Sequence, residues 1–135
     1  MKIVNQFLPY YANQPGRGVF AVEDRASGEF AGWFLLRPAT DYRYAAIVGW
    51  TDPSEIEIGY RFAKRFWGRG LATEGAKVLA ALAFDDPKVT ALVACALVAN
   101  RGSTRVMEKL GMSVRSLCEL PEGLGPAVTY ELMRS

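Results

Sequence analysis

Residues 54–62, SEIEIGYRF, alternate in hydropathy and run without a spacer into AKRFWGRG and then LATEGAKVLAALAF. Alternation places Glu55, Glu57, Gly59 and Arg61 on one face of a strand and Ile56, Ile58, Tyr60 and Phe62 on the other. The 3.6-residue spacing of apolar positions 71, 72, 75, 78, 79 and 82 predicts a helix over Leu71–Phe84, stopped by Asp85-Asp86-Pro87. The fold must therefore contain a strand, a glycine loop and a helix in direct succession. A plain reversal needs fewer special residues than Arg65-x-x-Gly68-x-Gly70 supplies. Both glycines open positive φ and let the backbone approach a ligand closely. The helix that follows aims its unpaired amides and the positive end of its dipole at the same place. Arg61, Lys64, Arg65 and Arg69 surround it with cationic charge. Phosphate or pyrophosphate suits such a place, and a glycine turn edged by solvated arginines is the alternative.

Two phosphate motifs are excluded. A Walker loop ends in Gly-Lys-Ser/Thr, where this chain has Gly70-Leu71-Ala72. A dinucleotide fingerprint needs a third glycine where Thr73 stands, and an acidic residue after the next strand.

The remaining elements follow in order. Residues 3–12 (IVNQFLPYYA) are expected to form a short helix, with Pro9 against it. Gly18–Glu23 and Glu29–Leu36 read as a hairpin around Asp24-Arg-Ala-Ser-Gly28, and residues 37–53 as an aromatic-rich loop. Val89–Val98 is a nearly continuous apolar run, the signature of a strand covered on both faces. Asn100–Leu110 reads as a second amphipathic helix with Ser103, Val106, Met107 and Leu110 on one side and Gly111 as its C′ residue. Strands at about 112–119 and 127–134 flank a Pro/Gly-rich turn. The predicted class is α/β of the α+β type: a mixed sheet with helices packed on it, short at the N-terminus, in one domain spanning residues 1–135.

Composition narrows the chemistry. The 135 residues contain no histidine, which removes Ser-His and Cys-His nucleophilic systems and histidine metal sites, so no metal is expected. A general base must be a carboxylate, a lysine, a tyrosine or held water. Cys95 and Cys118 sit in apolar contexts without metal-like spacing and read as reduced core thiols. A formal charge of +2 is too small to make nucleic acid the main partner. There is no apolar run near the roughly 20 residues of a membrane span and no signal-peptide h-region at MKIVNQFLPYY, so a cytoplasmic protein without a membrane partner is expected.

Arg65-x-x-Gly68-x-Gly70 resembles, at every defined position, the acetyl-CoA pyrophosphate motif of the GNAT superfamily of N-acetyltransferases. The helix after it, the buried strand 89–98 and ANRGSTRVMEKLGM (99–112) continue the resemblance, which covers about residues 18–135. Asn100, Ser103 and Lys109-Leu110-Gly111-Met112 are similar to the branch containing the ribosomal-protein N-terminal acetyltransferases (RimJ/RimL-like), as is the final strand Val128–Leu132. The resemblance implies a GNAT-like, mostly antiparallel central sheet splayed near the glycine loop. It further implies acetyl-CoA as co-substrate and an amine acceptor attacking the thioester directly.

Carried onto this chain, the family pattern places pantetheine along Tyr60, Arg61 and Phe62. Pyrophosphate falls on the loop of Arg65, Phe66, Trp67, Gly68, Arg69, Gly70 and Leu71, and pantetheine again on Asn100, whose other reading is a helix N-cap. Arg101 and Arg105 could reach the adenosine phosphates, although a solvated helix face suits them better. Glu57 is the candidate base, Glu55 shares its face, and the alternative is that both are the polar face of a half-buried strand. Ser103 is the candidate acid for the thiolate, or else helps cap its helix. Met107 stands where many members carry a tyrosine acid, and Cys95 where others carry a glutamate base. Trp33, Tyr42, Tyr44 and Trp50 could line an acceptor groove, although core or dimer contacts suit most of them better.

Members of this branch begin with a strand and a helix ahead of a second helix, and Met1–Ala12 is read as starting inside that second helix. The usual first strand and helix would then be lacking. The edge at 18–24 would lie uncovered, which favours a homo-oligomer, most simply a dimer. A rival reading is a non-catalytic acyl-CoA-binding or regulatory domain that has lost its acceptor site.

Overall fold

The computed structural model describes residues 2–6 and 16–134. Among the described residues, seven strands form one sheet in the order β1-β2-β3-β4-β5-β7-β6. These are β1 (Lys2–Gln6), β2 (Gly18–Glu23), β3 (Phe30–Pro38), β4 (Glu55–Phe62), β5 (Ala91–Leu97), β6 (Ser113–Leu120) and β7 (Gly125–Met133). Helices α2 (Leu71–Phe84) and α3 (Arg101–Lys109) follow β4 and β5, and a short α1 (Ala45–Val48) lies between β3 and β4. All neighbouring pairs are antiparallel except β4–β5, which is parallel. Among the described residues, no helix is long and apolar enough to cross a membrane.

Each face of the sheet has its own core. On the helix side, Phe34, Leu36, Ile56, Ile58 and Leu92 pack against Ala76, Leu79, Ala83 and Met107. On the other side, the segment 39–50 lays Ala39, Ala45, Val48 and Trp50 over Val93 and Ala127, with Tyr42 and Tyr44 against them. Alternate residues of β4 and β5 thus enter different cores, so Val89–Leu97 is apolar on both faces. Trp50 is fully buried and packs against Tyr42, the rings tilted at 47° with centroids 5.0 Å apart. Arg134 closes the far end of α2, donating to the carbonyls of Phe84 and Val89 at 2.9 and 2.7 Å.

The hairpin, the glycine loop, both long helices and the last two strands match the sequence reading. Three expectations are corrected. The helix expected over residues 3–12 is a strand at Lys2–Gln6, residues 7–12 lying outside the described residues. Antiparallel pairing from Lys2↔Glu23 to Gln6↔Val19 decides that conformation, where β-branched Ile3 and Val4 are at home. A strand therefore does precede the hairpin and covers the edge at 18–24, removing the reason given for a dimer.

Secondly, α2 is rotated from the expected phase. Gly75, Ala76, Leu79, Ala80 and Ala83 are buried, while Val78 and Leu82 are 54% and 39% exposed. A helix rich in small residues has an ambiguous apolar face, and close approach to the sheet selects the alanine side. Finally, Glu55 and Glu57 are not the open polar face of a half-buried strand. Each is 6% exposed, beneath the other core, with Glu57 held by Arg37 of the adjacent β3 and Glu55 by Arg115 of β6, three places along the sheet.

Candidate functional site

The site begins where two neighbouring strands part. β4 and β5 pair only at Glu55↔Ala91, Ile56↔Leu92 and Glu57↔Val93. Beyond Glu57, β4 continues to Phe62 paired with β3 alone, and β5 continues to Leu97 paired with β7 alone. At Gly32, a Cβ would meet Arg61 O at 2.2 Å, so this half of β4 is pressed against β3 and turns its other edge to the gap. The fork opens into a cleft of about 450 Å³ lined by Tyr60, Arg61, Phe62, Trp67, Asn100 and Ser103, among others. It shares Gly68, Ala72, Gly102 and Val106 with a narrower hollow of about 220 Å³ between the glycine loop and α3.

The loop is built from the inside. Phe66 is 4% exposed in the core, and Arg65 and Arg69 both place their guanidinium carbons over its ring, at 4.9 and 5.2 Å. Trp67 is exposed, yet its indole N–H donates to Phe62 O at 2.8 Å. A single 3-10 turn (Lys64–Phe66) uses the amides of Phe66 and Trp67 on Ala63 O and Lys64 O. The chain then takes left-handed conformations at Gly68 (φ 77°) and Gly70 (φ 75°). A Cβ at either would touch nothing, so backbone conformation rather than packing requires glycine there. Gly70 is the N-cap of α2 and offers no side-chain acceptor, which leaves the first helical amides, from Leu71 to Thr73, directed at the hollow they line. These amides supply donors for an anion.

The cationic residues are distributed differently from the expectation. Arg61 lines the wider cleft. Arg65 turns away from the groove, to Glu29 Oε2 at 3.1 Å and Phe30 O at 3.4 Å, and Lys64 lies over Trp67. Arg65, Arg69 and Lys64 therefore shape the loop. The hollow instead takes Arg105 and Lys109 from α3. Arg105 is exposed on its helix face as expected, and it also lines the hollow.

Asn100 is the helix cap that one of its two readings gave it. Its Oδ1 accepts from the Ser103 amide at 3.2 Å, capping α3, and it lines the cleft. Ser103 Oγ donates to the Tyr60 hydroxyl at 3.0 Å, and that hydroxyl donates to Ser103 O at 2.8 Å. This pair bridges the open half of β4 and α3. Burial raises the Tyr60 phenol above its ordinary value, with the Ser103 bond pulling against it. Sequence reasoning placed Tyr60 in the site for its backbone and missed its hydroxyl.

The carboxylates lie on the opposite face, away from the cleft lining. Glu57 Oε1 accepts from Arg37 Nε at 2.5 Å, within the β3–β4 register pair Arg37↔Glu57. Burial pushes its carboxyl up despite Arg37, which lowers it. Glu55 takes both oxygens to Arg115 Nη1, at 2.9 and 3.0 Å. Cys95 lies nearby, its thiol pushed up to about 11 by burial, with Tyr42 pulling the other way, so it stays protonated near neutral pH. Met107 is buried core.

The sequence profile of the acetyltransferase (GNAT) domain matches residues 2–113. The chain belongs to the GNAT acetyltransferase family. Among curated relatives of this GNAT domain, the uncharacterized protein YkkB of Bacillus subtilis is 33% identical over 102 residues, covering 74% of this chain and 54% of that protein. The FsC-acetyl coenzyme A-N(2)-transacetylase of Aspergillus fumigatus is 32% identical over 88 residues, covering 65% and 36%. The GNAT chain thus spans about half or less of the curated relatives it matches. Among solved structures, the aminoglycoside acetyltransferase AAC(6')-Ib in complex with coenzyme A superposes with a TM-score of 0.72 at 26% identity, over 94% of this chain and 72% of that one.

Proposed function

We propose that this domain binds acetyl-CoA along the open half of β4 and transfers the acetyl group to a primary amine by direct attack on the thioester. The parting of β4 from β5 beyond Glu57, above the uncapped N-terminus of α2, is the observation that carries this reading. An extended thioester arm would take up the backbone groups that Gly59–Phe62 turn to the gap, and pyrophosphate would take the amides from Gly68 to Thr73. Arg61, Arg105 and Lys109 add the positive charge such a ligand needs. The coenzyme A complex of AAC(6')-Ib and the name of the Aspergillus relative support the choice of co-substrate.

Direct transfer needs a neutral amine, a sink for its proton and a proton for the leaving sulfur. Glu57 is our candidate for the sink because its backbone stands at the fork. Its bond to Arg37 must loosen for it to act, and water is the other route. The Tyr60–Ser103 hydroxyl pair lies in the cleft, positioned to serve the sulfur. For the acceptor, Asn100, Ser103 and Lys109–Met112 favour the ribosomal-protein N-terminal branch, so peptide N-termini belong beside small amines and aminoglycosides in any screen.

Calorimetry with acetyl-CoA and CoA, followed by thiol release against a panel of amines and peptide N-termini, tests the reading. Binding with release on one amine class is expected. Binding without release on any acceptor would point to a cofactor-binding domain. An absence of binding would remove the assignment of the Gly68–Gly70 groove.

A further inference from the structure

We propose that the Tyr60 hydroxyl, with Ser103 as its holder, is the proton donor to the departing coenzyme A thiolate. The inference rests on the acetyl-transfer reading above. Tyr60 lies on β4 just past the last β4–β5 pair, Glu57↔Val93, and its side chain crosses the split to α3. The hydroxyl is oriented at both ends: it donates to Ser103 O at 2.8 Å and accepts from Ser103 Oγ at 3.0 Å. Both residues line the same cleft.

Acidity separates the two hydroxyls. An alkyl thiol ionises near ~8.5 and a tyrosine phenol near ~10, whereas an aliphatic alcohol is a far weaker acid. Proton transfer is efficient when donor and acceptor are close in pKa, which the phenol satisfies and the serine does not. Among the residues lining this cleft, the other ionisable side chain is Arg61, which does not release its proton. Burial keeps Tyr60 protonated at neutral pH, while the bond that Ser103 donates stabilises the phenolate once formed.

The step balances as follows. The amine nitrogen forms the C–N bond at the thioester carbon, and the tetrahedral intermediate loses its excess nitrogen proton to water. Whether that proton leaves by water or by Glu57 does not alter the next event: as the intermediate collapses, the C–S electron pair goes to sulfur, which takes the Tyr60 proton. The phenolate, held by Ser103 Oγ–H, recovers a proton from water, leaving an amide and free CoA thiol.

The test compares wild type, Tyr60→Phe and Ser103→Ala, using acetyl-CoA and the acceptor amine found in the thiol-release screen. Phenylalanine keeps the ring and its packing on Phe34, 5.8 Å away between centroids, so the fold is retained, as thermal unfolding checks. Removing the acid is expected to lower kcat by about 100-fold with little change in KM for acetyl-CoA or in CoA affinity. Ser103→Ala, which removes only the holder, is expected to cost about tenfold or less. Fluorotyrosine at position 60, a stronger acid, should move the descending alkaline limb of kcat to lower pH, a shift that a structural role would not produce. The proposal is overturned by a Ser103→Ala loss equal to or greater than that of Tyr60→Phe, by an unchanged Tyr60→Phe kcat, or by an unmoved limb. A wild type that releases no thiol with any amine overturns the acetyl-transfer reading itself, a result visible before any variant is made.

Discussion

The two halves of β4 have the same alternating pattern and opposite uses. Residues 56–57 have a strand on each side, and the acidic side chains of Glu55 and Glu57 are buried against Arg115 and Arg37. Residues 58–62 have a strand on one side only, and their free edge and the Tyr60 hydroxyl face a cleft. One half is finished and the other is left incomplete. The comparison teaches that this groove is made chiefly by withholding a partner strand, with few dedicated side chains, and that charge on a strand need not mark the reactive face.

The finished half is the costlier to disturb. Arg37→Ala would leave the Glu57 carboxylate buried without its cation. We expect a loss of about 3 kcal/mol in denaturant unfolding, at the low end for a broken buried pair because Arg37 keeps 25% of its side-chain surface exposed. Replacing both Arg37 and Glu57 with apolar residues of like volume should restore most of that stability. CoA affinity, measured by calorimetry, should stay near wild type in the folded fraction. A large affinity loss without destabilisation would mean that the two halves are coupled.

How much of this was legible follows the same division. The open half and its loop could be read because local rules govern them: period-2 alternation, glycines at positive φ and a helix start without a cap. Asn100, with Ser103 on the next turn, could be read for the same reason. The finished half was misread because its determinants are remote in sequence. Arg115 reaches Glu55 from β6, and Arg37 pairs with Glu57 across a connection of irregular length, so no local spacing announces either. The phase of α2 escaped because alanine sits equally well on either face. Lys2–Gln6 became a strand through pairing with β2, a partner twelve or more residues away that the local pattern does not announce.

On the open half, the loop conformation can be broken directly. Gly70→Ala meets no neighbour, yet it forces a side-chain-bearing residue to φ near 75°. That costs about 1–2 kcal/mol, taken from stability or released by a shift of the loop. Either way, CoA affinity should fall. An alanine variant with unchanged unfolding and unchanged calorimetry would show that the loop tolerates another conformation.

A smaller effect sharpens the charge assignment. Removing Arg105 and Lys109 together, by alanine substitution, should weaken CoA binding by about 1 kcal/mol, roughly fivefold, and flatten its salt dependence. Arg65→Ala should change binding less, because its guanidinium serves Glu29 and the Phe66 ring. Repeating the titration with dephospho-CoA locates the interaction. A loss that persists places the two α3 residues on the pyrophosphate, and a loss that vanishes places them on the 3′-phosphate.

The mildest test returns to Glu57 and its pH dependence. Its carboxyl ionises above the ordinary value in the folded protein, chiefly because burial penalises the charge. Between the unfolded value, about 4.3, and the raised folded value, the native state binds more protons than the unfolded state, so this group's contribution to stability declines as pH rises through that window. Glu57→Gln removes the titration. The stability difference between wild type and variant should therefore shift toward the variant from pH 4 to pH 8 in parallel thermal unfolding series. A shift toward wild type would instead mean that Arg37 outweighs burial and holds the carboxyl below its ordinary value. Glu57 would then be a settled ion pair, committed wholly to the finished half of the strand and a poor candidate for the base.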